Sequence, residues 1–138
     1  MPTINATNEL LPELIAELLP ALIQVESGGD DSAVGDGGKA VGCLQIHEIY
    51  VDDVNRIVHT SGFTDNDELF SYRDRDSRAL SVKMIKFYLY HYGTMNRIKP
   101  TSKRDWLLKL ARIHHLGPQG YLSKDTEYMR KIEKELNE

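Results

Sequence analysis

A glutamate and a glutamine in the first third of the chain are the residues best suited to carry chemistry. Glu26 falls where an apolar helical pattern stops, and a glycine-rich, turn-rich segment follows it. Gln45 then interrupts a short apolar run. A carboxyl group at a helix end can protonate a leaving oxygen if its surroundings keep it neutral. A buried amide must find hydrogen-bond partners, either in the backbone or in a ligand. The pair therefore predicts an acid and a positioning group beside a small irregular element.

The neighbours of Glu26 decide whether it can act as an acid. Burial against apolar groups raises the pKa of a carboxyl because desolvation disfavours its charged form. Ile23, Val25, Leu44 and Ile46 could supply such surroundings. The alternative from the residues alone is an exposed carboxylate at a helix end.

A second carboxylate, Asp36, follows within the turn sequence Gly35-Asp36-Gly37-Gly38. A second carboxylate beside an acid can act as a general base that activates water. Asp-Gly is also ordinary turn chemistry. Asp36 is therefore a candidate catalytic base with a turn role as the alternative, and Asp30 and Asp31 are expected to be solvated loop residues.

The elements that position these residues follow from apolar periodicity and from turn signals. The pattern predicts a predominantly helical α+β chain with one small β-hairpin around residues 33–41. Prolines, glycines and capping residues set the expected helix ends: Asn8 as a cap and Pro20 as a break or kink, Asp74 or Asp76 as a cap and Gly93 as a stop, and Thr101 or Ser102 as a cap and Gly117 as a stop. The predicted helices cover residues 9–19, 22–26, 47–60, about 74–92, 101–116 and 123–136.

Length and composition set the broader expectations. The 138 residues suit one domain, 1–138, in which residues 1–8 form a polar lead-in. The formal net charge of −4 gives no footprint for nucleic acid. No apolar stretch approaches the ~18 residues of a membrane span, and no signal peptide is recognised. The single Cys43 excludes an intramolecular disulfide. We expect no metal, no cofactor and a monomer.

Three motifs resemble the lysozyme-like superfamily and, within it, the soluble lytic transglycosylase type of domain. Glu26-Ser27-Gly28-Gly29 is similar to the family's catalytic Glu-Ser, and Gly42-Cys43-Leu44-Gln45-Ile46 is similar to its Gly-Leu-Met-Gln element, with Ala40 in the expected place. His115-Leu116-Gly117-Pro118 is similar to its Asn-Ala-Gly-Pro, and Tyr128 lies where a tyrosine often follows. Together the motifs extend over residues 15–132.

The resemblance implies a lysozyme-like fold and cleavage of the β-1,4 bond between N-acetylmuramic acid and N-acetylglucosamine in peptidoglycan. It makes Glu26 the general acid and base, and it places Ser27, Gln45, His115, Gly117 and Tyr128 at the substrate, with support of Glu26 as the alternative for Ser27 and Gln45. The rings of Tyr121 and Tyr128 could stack on sugar faces, and the alternative for both is half-buried core. Transglycosylases need no second carboxylate, because the sugar's 6-hydroxyl closes a 1,6-anhydro ring. His115 departs from the family's asparagine, so either positioning is altered with activity kept, or the domain binds glycan and cuts it poorly.

Two function classes therefore stay open on the sequence. The first is a peptidoglycan-cleaving enzyme, a lytic transglycosylase ahead of a muramidase hydrolase. The second is a lysozyme-like glycan-binding or interaction domain with weak or no catalysis. The suspected substrate implies a location in the cell envelope, either in the periplasm or outside the cell. The sequence leaves open whether the protein comes from a bacterium or from a phage.

Overall fold

The computed structural model describes residues 4–61, 69–124 and 126–137, with backbone alone for residues 4–9 and 61. Over these ranges the chain is mostly helical and carries a two-stranded antiparallel sheet, which confirms the predicted α+β class. The lysozyme-like arrangement of these elements stays a prediction. The predicted turn-rich segment 61–75 lies partly outside the described residues.

Five helices and two short strands make up the described chain. The helices are α1 (Ile4–Ser27), α2 (Glu48–Ser61), α3 (Arg78–Met95), α4 (Lys103–Leu116) and α5 (Thr126–Leu136). The strands are β1 (Val34–Gly35) and β2 (Ala40–Val41), with Val34 opposite Val41 and Gly35 opposite Ala40. Short 3-10 turns lie at Asp36–Gly38, Tyr72–Asp76 and Gly120–Leu122. The hairpin is where the turn sequence predicts it.

Helix α1 is longer than predicted and is not broken. It begins at Ile4, so the predicted start at residue 9 and the predicted cap at Asn8 are wrong. The polar lead-in over residues 1–8 stays a prediction. Pro20, like Pro12, lies inside the helix on its exposed side. The carbonyls that each proline leaves unbonded can bond water there. The buried stripe Leu11, Leu14, Ile15, Leu18 and Leu22 stays in phase across both prolines, and its burial holds the helix together.

Helix α3 also differs from its prediction at both ends. It begins at Arg78 after Ser77, whose Oγ accepts from the Leu80 N–H at 3.2 Å, so neither Asp74 nor Asp76 is its cap. It also continues through Gly93 to Met95. A Cβ at Gly93 would lie 3.0 Å from Leu11 Cδ2, so this glycine serves close helix packing rather than helix termination.

Helix α4 follows its predicted signals. Ser102 is the N-cap, and its Oγ accepts from the Asp105 N–H at 3.0 Å. Gly117 ends the helix with φ = 105°, a conformation that favours glycine. Helix α2 begins within one residue of its prediction, and α5 begins at Thr126 rather than Ser123.

The chain divides into two compact units. Unit 1 comprises Met1–Val25 and Leu89–Glu138, and its buried apolar residues come from α1, α3, α4 and α5. Unit 2 comprises Glu26–Tyr88; it buries residues of the hairpin region, α2 and α3, and Tyr50 stacks on Tyr88 with ring centroids 3.7 Å apart. The predicted single domain 1–138 stays a prediction.

Among the described helices, none combines the length and the apolar character that crossing a bilayer requires.

Candidate active site

Glu26 lies in the last turn of α1 and is half-buried. The helix ends directly after it because Gly28 and Gly29 both adopt positive φ, 64° and 89°. Ser27 Oγ accepts from the Gly29 N–H at 3.1 Å. Ser27 therefore caps the turn that follows Glu26, and its predicted contact with substrate stays a prediction.

A ladder of backbone hydrogen bonds links this helix end to the hairpin within unit 2. The Asp30 N–H donates to the Ser27 carbonyl at 3.3 Å, and the Ala33 N–H donates to the Asp30 carbonyl at 3.2 Å. The Gly42 N–H then donates to the Ala33 carbonyl at 2.8 Å. The Glu-Ser motif and the Gly42-to-Ile46 motif are thus joined by three consecutive local bonds.

Gln45 braces its own loop through its side-chain nitrogen. The Nε2 group donates to the Gly42 carbonyl at 3.0 Å and to the Ala33 carbonyl at 3.2 Å. Its Oε1 faces Gly35, where an added Cβ would lie 2.4 Å away. The amide is half-buried, and its backbone has φ = 52°. Two backbone carbonyls therefore account for both Nε2 hydrogens. The predicted contact between Gln45 and substrate stays a prediction, and it would use the acceptor Oε1.

Asp36 lies on the hairpin turn and faces a histidine. Its Oδ2 is 3.1 Å from His47 Nε2, with 65% of the Asp36 side chain and 41% of the His47 side chain exposed. Asp36 has φ = 50° at the start of the 3-10 turn, which agrees with its turn role. Its catalytic role stays a prediction.

The aspartates between the motifs have local partners. Asp30 accepts from the Ser32 N–H at 2.9 Å and the Ser32 hydroxyl at 2.8 Å, and these bonds lower the pKa of the exposed Asp30 carboxyl. Asp31 accepts from Arg78 Nε at 2.7 Å, and that arginine also donates to the Gly29 carbonyl. Both aspartates thus stabilise the segment that follows Glu26.

A buried arginine, Arg75, contacts the loop around Gln45 from the 3-10 turn at Tyr72–Asp76. It is 8% exposed, and its Nη1 donates to the Ile46 carbonyl at 2.9 Å and the Lys39 carbonyl at 3.2 Å. Its Nε donates to the Tyr72 carbonyl at 2.8 Å. Buried cations are uncommon, so this one marks a place where the fold fixes backbone.

The third motif lies in unit 1, where the structure brings together His115 and Tyr128. Their rings are parallel within 5°, with centroids 3.9 Å apart. His115 is exposed in the last turn of α4, whereas Tyr128 on α5 is 6% exposed. Tyr128 is therefore largely buried while its ring stacks on the imidazole, and the predicted contacts of both residues with substrate stay predictions.

Two further predicted residues lie near this pair along the chain. Gly117 ends α4, so its required φ explains the residue without a ligand. Tyr121 is half-buried in the 3-10 turn at Gly120–Leu122, and its carbonyl accepts from Arg112 Nη2 at 2.9 Å. Their predicted contacts with substrate stay predictions.

Three residues of unit 2 that contact the segment between Glu26 and Ile46, or lie next to it, were not among the sequence candidates: His47, Arg75 and Arg78. Their partners are Asp36, the Ile46 carbonyl and Asp31. Only His47 carried a signal, because it lies two residues after Gln45 in the same motif region. The two arginines stand in or beside a polar run that is typical of a solvated surface.

Within the part of the chain that the structure describes, no three His, Cys, Asp or Glu side chains group closely enough to hold a metal ion.

No family model, curated protein or solved structure matches the chain.

Proposed function

We propose that this protein cleaves the β-1,4 bond between N-acetylmuramic acid and N-acetylglucosamine in peptidoglycan, as a lytic transglycosylase. The observation that carries the proposal is the joining of two motifs in unit 2. A half-buried glutamate lies in the last turn of α1, and the bonds of Ser27, Asp30 and Ala33 tie that helix end to the loop holding Gln45. The support comes from the backbone: the helix end that carries the carboxyl group is bonded to a preorganised polar loop, and in this proposal the two act together on a glycan.

The proposed reaction needs one carboxyl group. Glu26 protonates the glycosidic oxygen as the C1–O bond breaks, and the leaving sugar departs with a free hydroxyl. The 6-hydroxyl of the muramic acid then attacks C1 and returns its proton to the Glu26 carboxylate. The products are a 1,6-anhydro end and a free 4-hydroxyl end, with the acid regenerated. In this scheme Gln45 Oε1 accepts from an amide or hydroxyl of the sugar, and Ser27 supports the acid.

The remaining motif residues extend the proposed substrate contacts. In unit 1, His115 would take the position of the family's asparagine, with the Tyr128 ring stacked on it. Gly117 and Tyr121 would also contact the glycan. The substrate places the protein in the cell envelope or outside the cell. We propose that it acts there as a monomer on glycan strands.

The Glu26→Gln variant tests the proposal. Loss of turbidity of a cell-wall suspension should slow by about 10²–10⁴-fold, the usual contribution of a general acid. Glu17→Gln is the matched control, because Glu17 lies on the same helix, outside the three sequence motifs, and its Oε1 is 3.0 Å from Lys103 Nζ. Equal rates for wild type and Glu26→Gln would refute the assignment.

The products separate transglycosylase from hydrolase chemistry. Mass spectrometry of the released muropeptides should show 1,6-anhydro ends, which are lighter by one water than reducing ends. A uniform set of reducing ends would contradict a transglycosylase and would favour a hydrolase with a second carboxylate.

A glycan-binding domain with weak catalysis is the second candidate function. The observation that favours it is the His115–Tyr128 stack, because an imidazole lying flat on a tyrosine differs from the asparagine amide in reach and in hydrogen bonding. This function predicts that the protein pellets with purified peptidoglycan while wild type and Glu26→Gln are equally inert. Restoration of cleavage by His115→Asn would identify His115 as the cause.

A further inference from the structure

We infer that Arg75 is a positioning residue for substrate binding, acting through the loop of residues 42–46. This inference rests on the proposed function, since a glycan is the ligand whose binding the loop would support. Arg75 does not contact the substrate in this account. It fixes the backbone from which Gln45 presents its side-chain oxygen.

The arginine holds the loop from both of its flanks. Lys39 precedes strand β2 and Ile46 ends the loop, and both carbonyls accept from the same Nη1 group, at 3.2 and 2.9 Å. Val41 and Ile46 also exchange backbone hydrogen bonds of 3.1 Å in each direction. The loop is therefore closed at its base by one bridge between backbones and by one guanidinium.

The backbone of Gln45 explains why such closure matters. Its φ of 52° is unfavourable for a residue with a side chain, and surrounding contacts must impose it. The Gln45 N–H donates to the Gly42 carbonyl at 3.1 Å, which completes the turn. Ile46 directly follows Gln45 in the chain. Without the bonds to Ile46, the Gln45 backbone could relax toward an extended conformation, and its Oε1 would leave its present position.

Arg75 can impose this geometry because it is itself fixed. Its backbone carbonyl accepts from the fully buried Ser81 hydroxyl at 3.0 Å. The same carbonyl packs against Gly42, where an added Cβ would lie 1.9 Å away. The 3-10 turn at Tyr72–Asp76, which carries Arg75, is capped by the Asp74 side chain, whose Oδ2 accepts from the Ser71 N–H at 2.8 Å.

Only an arginine suits these contacts. The guanidinium is planar and offers five donors in a rigid fork, whereas a lysine ammonium is a compact group on a flexible stem. Here the donors serve three carbonyls that face the group from different segments, those of Lys39, Ile46 and Tyr72. The Glu48 carboxylate lies 3.8 Å from Nη2 and offsets the charge.

The Arg75→Lys variant tests the inference, with two controls. Val54→Ala shortens a fully buried side chain of α2 and lowers stability at a position outside residues 42–46. Arg56→Lys repeats the same substitution at an exposed arginine that pairs with Asp53. We expect Arg75→Lys to raise KM for peptidoglycan by about tenfold, within the hundredfold cost of misplacing a group. Its kcat should change less, and neither control should raise KM.

Hydrogen exchange gives a measurement that does not depend on activity. The amides of Gln45 and Ile46 should exchange faster in Arg75→Lys than in Val54→Ala at equal global stability. Unchanged exchange at these amides, or a KM equal to that of Val54→Ala, would overturn the inference. If wild type neither cleaves nor binds glycan, the proposed function fails, while the exchange result still decides whether Arg75 holds the loop.

Wild-type protein provides the remaining test, in case Arg75→Lys does not fold. Soluble fragments of GlcNAc and MurNAc, titrated into ¹⁵N-labelled protein, should shift the Gln45 side-chain resonances together with those of the Arg75 guanidinium. Saturation with glycan without a shift at Arg75 would also overturn the inference.

Discussion

At the scale of single residues, substitution of Asp36, which contacts His47, distinguishes a transglycosylase from an inverting hydrolase. The Asp36 carboxylate lies 3.1 Å from an imidazole on an exposed turn. A transglycosylase does not use this carboxylate, so Asp36→Asn should leave the cleavage rate nearly unchanged. An inverting hydrolase would lose roughly 10²–10⁴-fold with this variant, because the attacking water would lack its base. Initial rates on purified peptidoglycan decide between them, with His47→Gln as the control for loss of the pair alone.

Candidate residues could be selected from the sequence only where the signal is local. Glu26 and Gln45 were selected because a carboxyl at a helix end and an amide in an apolar run stand out, and their roles stay predictions. The bonds from Gln45 Nε2 to backbone were not predictable, since they depend on the left-handed conformation of the residue that carries them. Arg75 gave no signal, because two of the three carbonyls that it serves, those of Lys39 and Ile46, come from distant parts of the chain.

At the scale of elements, the packing of the 3-10 turn at Tyr72–Asp76 on Gly42 gives a prediction about stability. In Gly42→Ala the added Cβ would lie 1.9 Å from the Arg75 carbonyl oxygen, so backbone must move. Gly28→Ala is the matched control, because Gly28 also has positive φ but has nothing within 4 Å of an added Cβ. We expect the Gly42 variant to lose about 1–3 kcal/mol more than the Gly28 variant in urea unfolding. Equal losses would show that φ alone accounts for the glycine.

The cap of α4 gives a prediction about pH. Burial alone would raise the pKa of the Asp105 carboxyl, but bonds from Lys109 at 2.6 Å and from the Thr101 N–H at 2.9 Å outweigh it and lower the pKa. A lowered pKa in the folded state gives stability that is fully present above about pH 4, the ordinary range of aspartate, and is lost as the pH falls through the lowered value. Asp105→Asn should therefore cost stability at pH 7 and progressively less below pH 4.

Urea unfolding of wild type and Asp105→Asn across this pH range measures that difference. Lys109→Met removes one of the two bonds and should show a smaller effect with the same pH dependence. A difference between wild type and Asp105→Asn that persists undiminished at pH 2.5 would contradict the assignment to the ionised carboxylate.

The boundaries of the elements show which part of the fold could be predicted. The hairpin and both ends of α4 follow from residues that act on their own backbone, such as Ser102 and Gly117. Pro20 and Gly93 misled because their usual effect was outweighed by packing. Burial of one stripe of α1 continues across the proline, and the missing side chain of Gly93 admits Leu11. Such effects require knowledge of which elements meet, which periodicity does not provide.

At the scale of the whole molecule, the net charge of −4 makes a prediction about binding to the cell wall. Peptidoglycan carries carboxylates, so an acidic protein is repelled by it at long range. The Debye length falls from about 30 Å at 0.01 M salt to about 10 Å at 0.1 M, which screens this repulsion. Binding of Glu26→Gln to purified peptidoglycan should therefore strengthen over this range. Binding that weakens steadily with salt would indicate a local cationic contact surface instead.

The buried Cys43 has a practical consequence for all of these experiments. It is the only cysteine of the chain, it is fully buried within the loop of residues 42–46, and burial raises the pKa of its thiol. A thiol reagent can therefore react only with molecules whose loop has opened. The rate of labelling, compared with that of an unstructured thiol, gives the free energy of opening at the centre of the motif. Labelling of Cys43 thus measures local opening of the segment on which the proposed catalysis depends, without an introduced probe.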